Sequence, residues 1–226
     1  GGFADWHVWN ELAALVKNNG DGTFSLVQEY DANIQQSIWT NSVFFDYDND
    51  GNLDLLLVGK GGDWRFPMSE KYALLYRNMG KENDYMFQKV GNTGLVQECD
   101  EMYFNTISIG DYDHDGYNDI LIMCYDINNT RRIDLYKNDK GSGKFILQQN
   151  AIPKDGDIPG TFHGASNGSV MFGDIDNDGW LDIFYTGYSD VSRGIRIYKN
   201  MQDGTFKDIT PSNIEGSFES QSVLAD

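Results

Sequence analysis

The sequence predicts an all-β fold built from repeated four-stranded units, and three observations carry that prediction. A nine-residue acidic pattern occurs three times, each copy lies between short apolar runs, and an Asn-centred motif recurs at a nearly constant interval.

The acidic pattern reads DYDNDGNLD at 46–54, DYDHDGYND at 111–119 and DIDNDGWLD at 174–182. Each copy places Asp at positions 1, 3, 5 and 9 around a Gly at position 6: Asp46, Asp48, Asp50 and Asp54; Asp111, Asp113, Asp115 and Asp119; Asp174, Asp176, Asp178 and Asp182. A hard divalent cation such as Ca²⁺ takes about six to eight oxygens. Four carboxylates, the backbone carbonyl of position 7 (Asn52, Tyr117 or Trp180) and water nearly complete such a shell. Glycine at position 6 permits the sharp turn that gathers them. One Asp/Asn/Gly cluster between strands reads as a solvated turn. Three copies with identical carboxylates read as three Ca²⁺ sites. With so many protein ligands there is little open coordination for a substrate, so the metal is expected to be a structural staple. These loops are not EF-hands, because position 12, which would hold a bidentate Glu, is Leu57, Ile122 or Tyr185.

The flanking runs are SVFF, TISIG and SVMFG before the loops, and LLLVG, ILIMCY and IFYTGY after them. Their branched and aromatic content and their shortness predict buried strands, so each acidic loop joins strands one and two of a hairpin. A third strand ends in LLYRN, DLYKN or RIYKN, and a fourth starts at the next aromatic, as in MFQKV. An earlier copy, ALVKNNGDGTF at 14–24, precedes the first loop and continues into FSLVQEY. Asn18, Asn78, Asn138 and Asn200 thereby recur at intervals of 60, 60 and 62 residues. Four strands per repeat of this length predict a β-propeller, in which blades bury their faces only against neighbouring blades. The expected layout is a partial blade at 1–30, blades at 38–92, 104–150 and 167–210, and the first strand of a further blade at 219–226. That amounts to about 3.5 to 4 blades of a partial propeller. SVLAD ends on what would be the first Asp of another loop, so a longer propeller is expected, with about 420 residues needed for seven such blades. A small ring closed by the terminal strands, or two copies completing one ring, are the alternatives.

The D-x-D-x-D-G-x-x-D loop followed by Y-K-N-x-x-D-G-T-F resembles the FG-GAP or VCBS repeats of integrin-like β-propellers. The resemblance covers nearly the whole chain, although the Phe-Gly pair before the loop survives only as Phe172-Gly173. It implies a calcium-stapled propeller that is secreted or displayed on a cell surface and acts in adhesion or carbohydrate contact, with the twelve loop Asp side chains as metal ligands.

Composition narrows the partners. The formal charge is −18, and three divalent ions would neutralise only a third of it. Such a surface argues against nucleic acid, whose phosphates require clustered Lys and Arg, and against anionic membranes. No apolar run approaches the roughly 18–20 residues that span a bilayer, so membrane insertion is not expected. Cys99 and Cys124 leave a disulfide and an unpaired core thiol both open. Extracellular localisation is expected from calcium supply, since weak sites work at roughly 10⁻⁴ to 10⁻³ M.

Ligand contact is expected on the longer loops at the other end of the blades, 59–71, 91–103 and 154–168, where Trp64, Arg65 and His163 are the candidates beside Glu98, Asp100, Glu101 and Asp157. The favoured reading is a module that binds a glycan or an extracellular protein. The runner-up is a polysaccharide lyase using His163, Arg65, Arg131 and Arg132 as base and carboxylate-neutralising groups, though their spacing forms no constellation. A structural spacer within a larger surface protein is the third.

Overall fold

The computed structural model describes residues 14–29, 34, 38–61, 70–83, 85–95, 106–125, 131–148, 151–152, 166–188 and 193–214. An N-terminal hairpin pairs β1 (Ala14–Asn18) with β2 (Phe24–Glu29). Three four-stranded antiparallel sheets follow, each in sequential order. The first contains β3 (Ile38–Phe45), β4 (Asp54–Gly61), β5 (Glu70–Asn78) and β6 (Phe87–Lys89). The second contains β7 (Thr106–Gly110), β8 (Asp119–Tyr125), β9 (Arg131–Asn138) and β10 (Phe145–Leu147). The third contains β11 (Ser166–Gly173), β12 (Asp182–Tyr188), β13 (Arg193–Asn200) and β14 (Phe206–Asp208). Among the described residues the only helical element is a 3₁₀ turn at Lys81–Asn83.

Each acidic pattern closes the hairpin between the first two strands of a sheet. The bounding pairs are Phe45 with Asp54, Gly110 with Asp119 and Gly173 with Asp182. The repeat unit is therefore the four-stranded blade that the motif order predicts.

Strand two of each blade is apolar without alternation because both of its faces are covered. Leu56 and Val58 point toward the second blade and share a core with Ile120, Ile122, Tyr136 and Phe145. Leu55 and Leu57 point the other way, clustering with Leu74, Tyr76, Phe87 and Ile34. The next interface repeats the scheme, with Leu121 and Met123 packed against Val170, Ile183, Tyr185 and Phe206. Blade-on-blade packing thus replaces a central core. First strands also meet: Val170 N donates to Thr106 Oγ1 at 3.0 Å and Phe172 N to Ser108 Oγ at 2.9 Å. The architecture is propeller-like, and the blades do not close into a ring among the described residues.

Candidate metal centres

Every acidic loop is held by the same backbone bonds. Asp46 accepts from Asp50 N at 3.1 Å through Oδ1 and from Gly51 N at 2.9 Å through Oδ2. Asp111 does so with Asp115 N and Gly116 N, and Asp174 with Asp178 N and Gly179 N. The position-5 carboxylate then accepts the N–H of position 7, from Asn52 at 2.8 Å, Tyr117 at 3.1 Å and Trp180 at 3.0 Å. The turn needs left-handed backbone twice. Asn49, His114 and Asn177 adopt φ of 58°, 57° and 58°, and Gly51, Gly116 and Gly179 adopt 86°, 91° and 89°. Glycine tolerates that region without strain.

The position-9 carboxylates lie inside the fold. Asp54, Asp119 and Asp182 are 0%, 0% and 1% exposed. Each ties its loop to strand three: Asp54 Oδ1 accepts from Asn78 N at 2.8 Å and Oδ2 from Tyr47 N at 3.1 Å, with matching bonds from Asn138 and Tyr112 to Asp119, and from Asn200 and Ile175 to Asp182. Burial pushes the Asp54 carboxyl up to about 6 against the pull of those two N–H donors. It pushes Asp119 up to about 7, where the Asp113 charge adds to it. Asp182 is raised for the same reason.

Carboxylate oxygens of Asp46, Asp48 and Asp50 come within 4.8 Å of one another, as do those of Asp111, Asp113 and Asp115. In the third loop the converging trio is Asp174, Asp176 and Asp182. Three carboxylates this close repel unless a cation joins them. A carboxylate has about four acceptor sites, so those already accepting N–H groups keep lone pairs for an ion. The all-oxygen donor set suits a hard divalent cation. Three such clusters able to hold a metal ion are what the repeated pattern predicts.

A cation from strand three faces each cluster. Arg77 Nε lies 2.9 Å from Asp48 Oδ2, and its second amino nitrogen lies 2.9 Å from Asp50 Oδ2. Lys137 contacts Asp113 and stands 3.1 Å from Asp115 Oδ2. Lys199 contacts Asp176 and stands 3.0 Å from Asp178 Oδ2. These bonds hold both lysines protonated well above their ordinary range, against desolvation that acts the other way on Lys137. In the first loop burial raises Asp48, whereas Asp50 is lowered because bonds from Asn52 and Arg77 outweigh its burial. Sequence reasoning used the Lys/Arg-Asn pair only to mark the period. Its recurrence as the last two residues of a strand, three times beside a carboxylate loop, is the signal that could have revealed a counter-ion.

The Asn of that pair has a second role. Asn138 Nδ2 donates to Asn118 O at 3.0 Å in its own blade and to Tyr47 O at 2.8 Å in the preceding one. Asn200 Nδ2 donates likewise to Leu181 O at 3.0 Å and Tyr112 O at 2.9 Å. The metal loops are thereby tied across blades. Gly141 comes so near the first loop that an added Cβ would sit 2.9 Å from Asp48 Cα.

A family model described as FG-GAP-like repeat matches residues 2–57, 111–185 and 174–225. This chain belongs to the FG-GAP-like repeat family. No curated protein matches it. The FG-GAP-like repeat thus accounts for both the blade and its acidic loop.

The predicted ligand end is a different matter. Trp64, Arg65 and His163 lie outside the described residues, as do Glu98, Asp100, Glu101 and Asp157. Arg131 and Arg132, of the lyase reading, open β9. Cys99 also lies outside the described residues, while Cys124 falls in β8. No helix among the described residues is long and apolar enough to cross a membrane.

Proposed function

We propose that this FG-GAP-like chain is an extracellular or cell-surface calcium-binding propeller module, in which Ca²⁺ rigidifies the blades and the opposite loops contact a glycan or a surface protein. The convergence of three carboxylates in each of three loops supports the calcium reading most directly. Asp46, Asp48, Asp50 and Asp54 would hold the first ion with the Asn52 carbonyl. Asp111, Asp113, Asp115 and Asp119 with the Tyr117 carbonyl would hold the second, and Asp174, Asp176, Asp178 and Asp182 with the Trp180 carbonyl the third. When bound, the ion supplies the positive charge that lets these carboxylates remain ionised together.

The protein's own residues prepare that state. Position-1 and position-9 carboxylates fix the loop through backbone N–H groups, and Arg77, Lys137 and Lys199 neutralise positions 3 and 5 while the ion is absent. Binding then exchanges an internal cation for a divalent one, and the cross-blade Asn bonds carry the added rigidity into the next blade. Family membership supports adhesion as the setting, because integrin-like propellers present loops from a rigid scaffold.

A glycan array probed with the purified chain in millimolar calcium tests the binding reading, beside a chelated sample and Trp64→Ala. A selective signal lost in both controls is expected. Failure of the folded, calcium-loaded chain to bind any glycan would remove the carbohydrate partner, leaving adhesion to protein.

A further inference from the structure

The three acidic loops touch one another through residues that stand between the expected metal ligands. Asn49 lies between Asp48 and Asp50, and its Nδ2 donates to Gly116 O in the second loop at 2.8 Å. Gly116 lies between Asp115 and Tyr117, whose carbonyl is an expected ligand of the second site. A bond runs back beside it: Asn118 Nδ2, between Tyr117 and Asp119, donates to Asp46 O in the first loop at 3.2 Å. The first and second loops thus hold each other by two reciprocal bonds.

The second and third loops meet at the same positions with different chemistry. His114 stands between Asp113 and Asp115, where Asn49 stands in the first loop, and its ring stacks on Trp180, with centroids 4.2 Å apart and planes 7° from parallel. Trp180 is also the residue whose carbonyl is expected to complete the third site. Such a stack attracts beyond the area it buries. The side chain of Leu181, the counterpart of Asn118, has no donor and packs on the residue before the second loop, so that a Cβ added to Gly110 would sit 2.5 Å from Leu181 Cδ1.

These contacts bear on binding because a loop must be fixed before its carboxylates converge. Asn49 and His114 adopt left-handed backbone, with φ of 58° and 57°, and fixing a flexible loop costs conformational entropy. A loop fixed around an ion holds its side of each contact in place, so less ordering is left to its neighbour. Electrostatics acts the other way, since carboxylates neutralised in one loop draw the next cation less strongly. Salt screens that opposition over about 8–10 Å and leaves the contacts intact.

We propose, resting on the calcium reading of these loops, that Asn49, Asn118 and the His114–Trp180 stack couple the three sites. Calcium then binds with positive cooperativity, and loading of the second loop tightens both the first and the third. Coupling between sites is reciprocal and typically amounts to about 5–150-fold.

Calcium binding constants from competition with a chromophoric chelator test this in a four-protein cycle: the wild type, the linker variant carrying His114→Asn and Asn118→Ala, Asp113→Asn, and all three changes together. His114→Asn installs the residue that occupies position 4 in both other loops, so the left-handed backbone persists, and neither linker side chain is an expected ligand. With the second loop competent, the linker changes should lower the overall constant for filling three sites about 25-fold or more, fivefold per link. In the Asp113→Asn background the same changes should leave the constant for the two tighter ions where it was. Melting curves in chelator establish that the variants fold; should the linker variant not fold, His114→Asn alone runs the same cycle on the second and third loops, with about a fivefold change expected. Three ions bound with an overall constant indifferent to the linker changes, or an equal loss with and without Asp113→Asn, would overturn the coupling while leaving the sites themselves standing. A wild type that binds no calcium would instead overturn the calcium reading, and the coupling with it.

Discussion

Replacing Asn138 by Ala should cost more stability than the same change at Asn78, and the difference isolates the bond that joins two blades. Asn138 is fully buried and makes three hydrogen bonds: Nδ2 to Tyr47 O at 2.8 Å, Nδ2 to Asn118 O at 3.0 Å, and Oδ1 from Gly141 N at 2.8 Å. Asn78 has the equivalents of the last two, with Leu53 O at 3.0 Å and Gly80 N at 3.0 Å, but among the described residues not the first. A typical bond contributes about 0.5–1.5 kcal/mol net, and a buried group left unpaired costs about 1–3 kcal/mol. On that scale Asn138→Ala loses about 3–5 kcal/mol and Asn78→Ala about 2–3 kcal/mol, a gap of about 1–2 kcal/mol. For a domain of this size each kcal/mol moves Tm by about 2–4 °C, so the gap is worth about 2–8 °C. Urea unfolding at low protein concentration, followed by tryptophan fluorescence, measures it, provided the slope m is unchanged between variants. Asn200→Ala should match Asn138→Ala. Equal losses at all three positions would refute a separate contribution from the cross-blade bond.

Two further outcomes follow from the loops. Lys137→Met should lower the stability of the metal-free protein, because Asp113 and Asp115 lose their counter-ion, and should tighten calcium binding by about threefold to tenfold, since the ion no longer competes with an ammonium; calorimetric titration reads the affinity. Metal-free stability should also fall as pH rises from about 4 to about 7, because folding lifts the carboxyls of Asp54 to about 6 and Asp119 to about 7 from an ordinary 3.8. In that window the folded chain retains protons that the unfolded chain has released, so raising the pH favours unfolding. Asp50 and Asp178, held low, act below that window. Thermal melts against pH should show the decline without metal and its loss in millimolar calcium, where the ion favours the ionised carboxylates.

Blade order was legible because it rests on local signals. The loop pattern, the apolar runs beside it and the Asn interval each lie within one repeat, and together they place strands β3 to β14 in their observed order. The carboxylate trios were legible for the same reason. What the sequence hid depends on distance along the chain. The Asn138 bond to Tyr47 spans 91 residues and the Asn200 bond to Tyr112 spans 88, so no local pattern announces either. The first loop illustrates a second limit: Asp48 and Asp54 look alike in the motif, yet one faces Arg77 and the other is buried under Asn78. The alternating direction of strand-two side chains was likewise hidden, because Leu55 and Leu56 are buried on opposite faces with the same side chain. The loops carrying Trp64 and His163 differ in length and composition from blade to blade, so the repeat constrains the strands and acidic loops and not these connections.

Calorimetric titration of calcium into the chelated, dialysed chain, paired with a thermal melt before and after, tests the central claim most directly. Three binding equivalents and a raised melting temperature are predicted, with Asp113→Asn weakening or removing one equivalent and sparing the other two. Absence of binding heat together with an unchanged melt in millimolar calcium would contradict the account.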